Sequence, residues 1–361
     1  MEVIAYYLPQ YYPFKENNEW WGNGFTEWTN VGKAKPLFRG HQQPKVPKDL
    51  GYYDLRLPEV RERQAELARE AGVTGFCYWH YWFGNGRQLL DMPLKEVLRS
   101  GNPDFPFCLG WANESWKAKV WNYNDTSKDK LLIEQVYPGR DDIVKHFYSI
   151  LELIKDKRYI KIDNKPVFVV YKPILLPDAK EFISMFNDLA KENGITEGFY
   201  FIGHTLNGAE TSRILDLGFD AINIVRNGEY KFNKEVIKRI PFKLFKFKAL
   251  GRPLKLDYSF ISKYFIHNSD NDERIIPTII PRWDHTPRSG KKGVVFHNST
   301  PELFKKHFEK AVEIIKNKKN KVLFLKSWNE WAEGNYMEPD LEYGKAYIQE
   351  LGKYLKKETN S

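Results

Sequence analysis

Cysteine is scarce in this sequence and long apolar runs are missing, and each absence narrows the class of protein. There are 2 cysteines among 361 residues, so neither a disulfide scaffold nor a cysteine zinc site is expected. Cys77 and Cys108 lie in apolar runs and are predicted to be buried thiols. No apolar run approaches the roughly 20 residues of a membrane span. The first residues show no basic leader followed by an apolar core, so we expect a cytoplasmic protein.

The rest of the composition is that of a folded protein rich in aromatic rings. Hydrophobic residues make up 42% and charged residues 29% of the chain, which is enough apolar surface for a large core. Aromatic residues reach 16%. This excess favours ligands on which rings can stack, although a core can also absorb it. The net charge of +9 is uneven, because residues 231–256 carry nine basic residues and one acid.

Strand-like apolar runs alternate with helical patterns along the whole chain. Eight such runs predict an α/β fold, a (β/α)8 TIM barrel formed as a single domain over residues 1–361. Residues 226–274, between strands 6 and 7, are predicted to be an insertion or lid. A doubly wound nucleotide-binding sheet is disfavoured because no glycine-rich turn follows the first strand. The predicted strands are 3–8, 74–81, 105–111, 166–171, 199–204, 221–225, 275–281 and 321–326. Among the predicted helices, one spans 89–98, one spans 178–192 and ends at Asn193-Gly194 as its C-cap, and one spans 301–317 with Thr300 as its N-cap.

The stretch 328–334, Trp-Asn-Glu-Trp-Ala-Glu-Gly, is the strongest candidate for chemistry. It follows the last predicted strand, and it places Glu330 and Glu333 three residues apart among indole rings. Cleavage of a glycosidic bond needs one protonated and one ionised carboxyl group, and apolar walls separate two such pKa values by desolvation. The alternative interpretation is a pair of exposed carboxylates on a loop or a first helical turn.

Polar and aromatic residues also follow the other predicted strands. The carboxyl ends of barrel strands meet at one face, so these residues are predicted to line the same pocket. Core packing is the alternative for the rings, and structural hydrogen bonding is the alternative for the histidines. No two histidines have ligand spacing, so neither a metal nor a cofactor is predicted. The predicted substrate-binding residues are Tyr7, Trp20, Glu27, Trp28, His41, Trp79, His80, Trp111, Asn113, Glu114, Trp116, Tyr171, His204, Trp283, Asp284, Trp328, Asn329 and Trp331.

Seven ordered motifs resemble those of the WbsX-type proteins, a group related to glycoside hydrolase family 99 and often found among polysaccharide and lipopolysaccharide biosynthesis genes. The resemblance runs from about residue 3 to 350. The motifs lie at 19–31, 35–41, 49–54, 75–82, 109–114, 282–288 and 328–334, the last followed by 338–340.

The resemblance implies a barrel that acts on α-linked, mannose-type sugars with retention. Carried over by motif, Glu330 would be the base that helps the 2-hydroxyl of the substrate attack the anomeric carbon, and Glu333 would be the general acid/base.

The sequence departs from the pattern of these families at two places. Residues 115–121 have lysines where the group has a pair of arginines, and the two residue types differ at bidentate anion sites. Ala332 replaces the histidine of the family 99 enzymes, so their exact substrate does not transfer.

Three classes of function remain open at this point. A glycoside hydrolase or transglycosylase comes first, a glycosyltransferase of surface-polysaccharide assembly second, and a non-catalytic carbohydrate-binding protein third.

Asp270 and Asp272 have the Asp-x-Asp form of many glycosyltransferases, but they precede a strand, and a solvated acidic loop is favoured. The predicted partner is an oligo- or polysaccharide, including a lipid-linked one. Residues 231–256 are interpreted as a lid. Contact with an anionic membrane surface or with an acidic polysaccharide is the alternative, and nucleic acid is disfavoured.

Overall fold

Eight parallel strands close into a barrel in the computed structural model, which describes residues 1–118, 130–231, 238 and 250–359. Neighbouring strands pair in chain order, and the first strand also pairs with the eighth. Ile4 shows the closure, since it lies opposite Gly75 on one side and Phe324 on the other. The barrel prediction is confirmed. The strands are β1 Glu2–Tyr7, β2 Gly75–Trp82, β3 Phe107–Trp111, β4 Lys165–Val170, β5 Tyr200–Thr205, β6 Ala221–Ile224, β7 Ile275–Ile279 and β8 Val322–Leu325.

The strands form where apolar residues run without a polar break. In β8 all four residues, Val-Leu-Phe-Leu, are buried, as expected for a strand covered by helices outside and by facing strands inside. The barrel interior is filled with side chains. Tyr6 stacks on Trp79 with ring centroids 4.7 Å apart and donates its hydroxyl to Asn223 Oδ1 at 2.7 Å. Any ligand must therefore bind at the mouth of the barrel and not inside it.

Seven helices described by the structure connect the strands or close the chain. Thr300 caps the sixth by accepting from the Leu303 N–H group at 3.3 Å, which confirms its predicted role. The fourth ends at Asn193 and Gly194 as predicted, with Gly194 at φ +85°. The helix predicted from residue 89 begins at Met92. The helices are α1 Pro58–Glu70, α2 Met92–Ser100, α3 Arg140–Lys155, α4 Ala179–Glu192, α5 Thr211–Asp216, α6 Pro301–Ile315 and α7 Ala346–Thr359.

Shorter elements are built between the barrel strands. Two short helices, Lys15–Trp21 and Glu27–Gly32, follow β1. Two antiparallel strand pairs follow β3 and β8, and strand Leu254–Asp257 pairs in parallel with Val294–His297. The remaining short elements are the strands Gln88–Leu89, Trp116–Lys117, Leu131–Ile133, Lys161–Ile162, Asn329–Glu330 and Asn335–Tyr336, the helices Tyr258–Ile261 and Thr286–Ser289, and the 3-10 helices Pro173–Leu175, Gly208–Glu210, Arg226–Lys231, Ser262–Tyr264, Asn268–Asn271, Gly290–Lys292 and Trp331–Glu333.

The predicted insertion at 226–274 is described in part. Leu254, Leu256, Tyr258 and Phe265 are buried in a small apolar cluster with Phe296, so this part of the segment packs on the barrel. The stretch 241–248, at the centre of the basic region, lies outside the described residues. A lid formed by this segment stays a prediction.

The Asp-x-Asp loop is not solvated in the way that the sequence suggested. Asp270 is fully buried, and its two carboxylate oxygens accept from Arg226 at 2.6 and 2.7 Å. Asp272 pairs instead with the partly exposed Arg274. The prediction of a solvated acidic loop is therefore wrong for Asp270, because a buried arginine that lies far away in the sequence reaches it.

Two further predictions concern cysteine and membranes. Cys77 and Cys108 lie opposite each other on β2 and β3, both buried and both free thiols, as predicted. Within the described ranges no helix has the length and apolar character needed to cross a bilayer.

Candidate functional site

The last barrel strand leads into a tight hairpin at the mouth of the barrel. After β8, the two-residue strand Asn329–Glu330 pairs antiparallel with Asn335–Tyr336. Between them Gly334 has φ +56°, and a Cβ atom there would lie 2.6 Å from Cβ of Asp284. Glycine alone tolerates both the left-handed backbone and this contact. The hairpin thereby holds Glu330 and Glu333 against the segment that follows β7.

Glu330 and Glu333 converge on a single guanidinium group. Arg288 donates from Nη1 to Glu333 Oε1 at 2.5 Å and from Nη2 to Glu330 Oε2 at 3.2 Å. Its Nε donates to Glu27 Oε2 at 3.1 Å. Glu330 is 5% exposed and Glu27 is 4% exposed. Three carboxyl groups from separate parts of the chain therefore share one buried cation.

The two acids of the hairpin differ in protonation. Burial, and next the negative charge of Glu333, raise the pKa of Glu330 to about 7. Burial acts on Glu333 as well, but Arg288 and His285 outweigh it and hold the pKa of Glu333 well below its usual range. The Nε2 atom of His285 lies 3.6 Å from Oε1 of Glu333. The pair therefore titrates as a unit, and the proton that it loses near neutral pH lies on Glu330 in this arrangement.

A cavity of about 260 Å³ opens beside these acids. Aromatic rings form much of its wall, and Trp20 meets Trp116 edge to face with centroids 6.0 Å apart. Flat apolar faces with polar groups between them suit a ligand that has both kinds of surface, as a saccharide has. The cavity is lined by Leu8, Gln10, Asn17, Trp20, Trp21, Phe25, Glu27, Asn30, Trp79, Tyr81, Ala112, Glu114, Ser115, Trp116, Lys117, Leu132, Tyr171, Arg288, Lys326, Glu330 and Glu333.

The structure brings eight of the sequence-predicted site residues together in this cavity. They come from the segment after β1, from the ends of β2, β3 and β4, and from the hairpin after β8. These eight are Trp20, Glu27, Trp79, Glu114, Trp116, Tyr171, Glu330 and Glu333.

The other predicted residues of the hairpin face away from the cavity and support it. Asn329 donates from Nδ2 to the Leu8 carbonyl at 3.0 Å and accepts at Oδ1 from the Leu8 N–H group at 2.8 Å, which ties the hairpin to β1. Trp331 donates its indole N–H to Glu338 Oε2 at 2.6 Å. Trp328 is fully buried in the core. Their positions fit structural roles.

Three more predicted residues are held in the core by their polar atoms. The hydroxyl of Tyr7 donates to Gln64 Oε1 at 2.7 Å. The indole N–H of Trp28 donates to the Tyr53 carbonyl at 2.7 Å, and that of Trp111 donates to a backbone carbonyl of β2 at 2.8 Å. None of the three lines the cavity: Tyr7 and Trp111 are buried, and Trp28 is partly buried with its ring packed against Tyr11 and Tyr53.

His80, His204 and Asn113 are likewise outside the cavity wall. His80 pairs with His146 through their Nε2 atoms at 2.8 Å, and burial lowers the pKa of His80 to about 4. His204 is 1% exposed inside the barrel, and burial lowers its pKa well below the usual range. Asn113 accepts from the Lys172 N–H group at 2.7 Å and donates to its carbonyl at 3.0 Å. Asn113 thereby fixes the chain at the end of β4.

His41, Trp283 and Asp284 line a second cavity of about 410 Å³. Asp284 accepts from His41 Nε2 at 2.7 Å and from Gln43 Nε2 at 2.6 Å. Burial opposes ionisation of Asp284, but these bonds, together with one from Thr286, hold its pKa below the usual range. The Asp284 N–H group also donates to the Glu333 carbonyl at 2.8 Å. This cluster braces the acid hairpin from the side opposite the first cavity.

Sequence reasoning missed three cations of the cavity, Lys117, Arg288 and Lys326. Arg288 closes the motif at 282–288, and membership of that motif was its only signal. Lys326 ends the eighth predicted strand, so strand-end position was the available signal for it. Gln10 follows the first predicted strand in the same way. In the described part of the chain, no three His, Cys, Asp or Glu side chains are grouped so as to hold a metal ion.

Comparison with known proteins identifies one described family and two uncharacterized relatives. A family model described as Glycosyltransferase WbsX matches residues 3–351. The uncharacterized protein WxcX of Xanthomonas campestris pv. campestris is 33% identical over 350 residues, which is 96% of this chain and 48% of that protein. WxcX of a second strain is 33% identical over 355 residues. The chain thus spans about half the length of these relatives.

Solved structures share the fold at lower identity. An endo-α-mannosidase of glycoside hydrolase family 99 from Bacteroides thetaiotaomicron superimposes with a TM-score of 0.59 at 16% identity, covering 100% of this chain and 99% of that one. A glycoside hydrolase-like protein gives a TM-score of 0.57 at 16% identity, covering 98% and 93%. These likenesses show that the TIM-barrel fold is shared.

Proposed function

The chain belongs to the family described as Glycosyltransferase WbsX, and from that premise we propose that it is an enzyme that cleaves or transfers an α-linked, mannose-type glycan. Glu330 and Glu333 would carry the reaction, and the aromatic cavity would hold the saccharide. One observation carries the proposal: both carboxyl groups bind one buried guanidinium, yet their pKa values are displaced in opposite directions. Acid/base chemistry near neutral pH needs such a divergence.

The proposed reaction follows the roles that the resemblance implies. Glu330 accepts the proton of the 2-hydroxyl, whose oxygen attacks the anomeric carbon as the bond to the leaving oxygen breaks. Glu333 donates its proton to that leaving oxygen. Water or an acceptor hydroxyl then attacks the anomeric carbon, gives its proton to Glu333 and opens the strained ring, and the 2-oxygen recovers its proton from Glu330. The configuration is retained after two inversions.

These roles require the shared proton to move when the saccharide binds. Without a ligand Arg288 stabilises the negative charge of Glu333, so Glu330 holds the proton. A leaving oxygen that competes with Arg288 for Glu333 would favour the transfer of the proton to Glu333. The reverse assignment, with Glu330 as donor, needs no transfer, and experiment distinguishes the two.

The test uses glycosides whose leaving groups differ in their need for a proton. A Glu333→Gln variant is expected to lose about 10²–10⁴-fold in turnover of an α-mannan oligosaccharide, the usual contribution of a general acid. The same variant should cleave a dinitrophenyl α-mannoside with a kcat/KM close to that of the parent, because that leaving group departs without a proton and kcat/KM reports the first step, before Glu333 acts as base. A Glu330→Gln variant should lose activity on both substrates.

Glu302→Gln, at an exposed position in the first turn of α6, is the matched control and should resemble the parent. If Glu330→Gln is the variant rescued by the dinitrophenyl substrate, the two roles are exchanged. If both variants keep full activity on the oligosaccharide, the proposed site is wrong.

A glycosyltransferase is the second candidate, favoured by the description of the family. It predicts that turnover depends on a nucleotide sugar. The Asp-x-Asp motif gives this candidate little support, because Arg226 occupies both carboxylate oxygens of Asp270. Product formation that requires a nucleotide sugar and fails in an Asp272→Asn variant would favour the transferase over the hydrolase.

A further inference from the structure

Lys326 is a buried cation of the cavity for which the described part of the chain provides no acidic partner, and it differs in burial from Lys117, an exposed cation of the same wall. Lys326, directly after β8, lines the cavity and is 8% exposed. Among the residues that the structure describes, no carboxylate oxygen lies within 4 Å of its Nζ atom, whereas Arg288 contacts three carboxyl groups. The recorded neighbour of the Lys326 ammonium is the ring of Trp283, whose centroid is 5.7 Å away.

The position of Lys326 is energetically unfavourable for the protein alone. A buried ammonium that has lost water and gained no counter-ion costs free energy, and a cation–π contact recovers only a part of it. Its charge does act through space on both acids, because Lys326 helps to lower the pKa of Glu330 and of Glu333. That long-range effect leaves the hydrogen-bonding positions of the ammonium free for a ligand.

A second ammonium points to the same part of the barrel mouth. The Nζ atom of Lys172, after β4, lies 4.5 Å from the ring centroid of Tyr171, which lines the cavity. Lys172 and Lys326 both lower the pKa of His204, so both charges lie near that ring. Asn113 holds the backbone of Lys172 in place. Within the described part of the chain Lys172 has no ion pair either.

We propose that Lys326, assisted by Lys172, forms a binding site for an oxyanion of the substrate, so that the preferred glycan carries a carboxylate or a phosphate group. The inference rests on the proposed function, because it names the class of saccharide that the same cavity takes. The alternative is that Lys326 donates to neutral hydroxyl groups or only tunes the acid pair. In that case neutral and anionic saccharides would bind with the same affinity.

The experiment measures binding by calorimetry, so that it does not depend on turnover. The probes are matched pairs: methyl α-mannoside against methyl α-mannosiduronate, and mannose against mannose 6-phosphate. We expect each anionic member to bind at least tenfold more tightly than its neutral partner, since a charge-assisted bond in a partly buried site is stronger than a neutral one. Raising the salt concentration should reduce the difference.

Lys326→Met is the test variant, because methionine keeps much of the length of the side chain without the charge. It should bind both members of each pair alike, whereas Lys326→Arg should keep the preference. Lys353→Met, at an exposed position in α7, is the control and should behave as the parent.

The outcomes separate the two proposals. Equal binding of neutral and anionic saccharides by the parent overturns the oxyanion site and leaves the proposed function standing. A preference for the anion that persists in Lys326→Met also overturns it. Failure of every saccharide to bind counts against both. Preference for phosphate alone or for carboxylate alone supports the site and identifies the group.

Discussion

Arg288 is the residue whose replacement most directly tests the arrangement of the acids. It is the only cation recorded within 4 Å of Glu27 or Glu330 in the described ranges, and it makes the shortest contact with Glu333. Arg288→Met removes the charge and all three contacts but keeps an apolar chain in the space. We expect the variant to fold with reduced stability and a changed titration of the acid pair.

The magnitude follows from the burial of the group. Removing one partner of a buried ion pair costs about 3–5 kcal/mol, because the remaining charges stay buried without compensation. With about 2.1 cal/mol/K of unfolding entropy per residue and 361 residues, a loss of about 4 kcal/mol lowers the melting temperature by about 5 °C.

The loss should also depend on pH. Arg288 depresses the pKa of Glu333, so in the parent this carboxylate contributes stability above its unfolded pKa, and that contribution is lost as the pH falls through the folded pKa. The variant lacks the contribution. Its deficit should therefore be large at pH 7 and smaller at pH 4, where the unpaired acids take up protons.

Urea unfolding of parent and variant at pH 7 and pH 4 measures this difference. Arg56→Met, which breaks a largely exposed pair with Asp54, is the control and should cost less than about 1 kcal/mol at both pH values. A variant as stable as the parent at pH 7, or a deficit that does not change with pH, would refute the view that Arg288 neutralises the acids.

Two further predictions concern groups behind the site. Glu338 is fully buried and accepts from Tyr53, Gln64 and Trp331, and burial raises its pKa to about 7. Its contribution to stability is complete below about pH 4.5 and is lost as the pH rises through about 7, which corresponds to about 3 kcal/mol. Glu338→Gln should flatten the unfolding free energy over that range, and an unchanged pH profile would contradict the burial argument. Gly334→Ala should cost about 2 kcal/mol or more by thermal melting, because the new Cβ meets Asp284 at 2.6 Å. Gly101→Ala, at φ +75° with open space around it, should cost only about 1 kcal/mol, and equal losses at both glycines would be inconsistent with that contact.

The barrel could be predicted because its evidence is local. Each of the eight predicted strands lies within two residues of the observed one, since a strand buried on both faces must be an apolar run. Caps such as Thr300 depend on neighbours three residues away and are visible in the sequence for the same reason. The start of α2 was less clear, because residues 88–89 pair with the end of β2 instead of joining the helix.

The site was harder to predict, because a residue type does not reveal the direction of its side chain. His80 lies near the end of β2 and Trp111 ends β3, but both are buried against His146 of the outer helix α3. Trp79, which precedes His80, lies on the cavity side. Successive side chains in a strand point to opposite faces. Position near a strand end therefore identifies two neighbouring candidate residues, and only the register of the strand shows which of them faces the cavity.

The protonation of the acid pair is even harder to predict from the sequence. Glu330 and Glu333 are both buried glutamates in one hairpin, and nothing local separates their pKa values. The difference arises because Arg288 and His285 lie closer to Glu333, and these residues reach the hairpin from the loop after β7. That loop is held by the contact between Gly334 and Asp284. The proton balance of the site thus depends on the packing of two loops, so a substitution that shifts the loop after β7 should alter the pH dependence of turnover even if both acids remain.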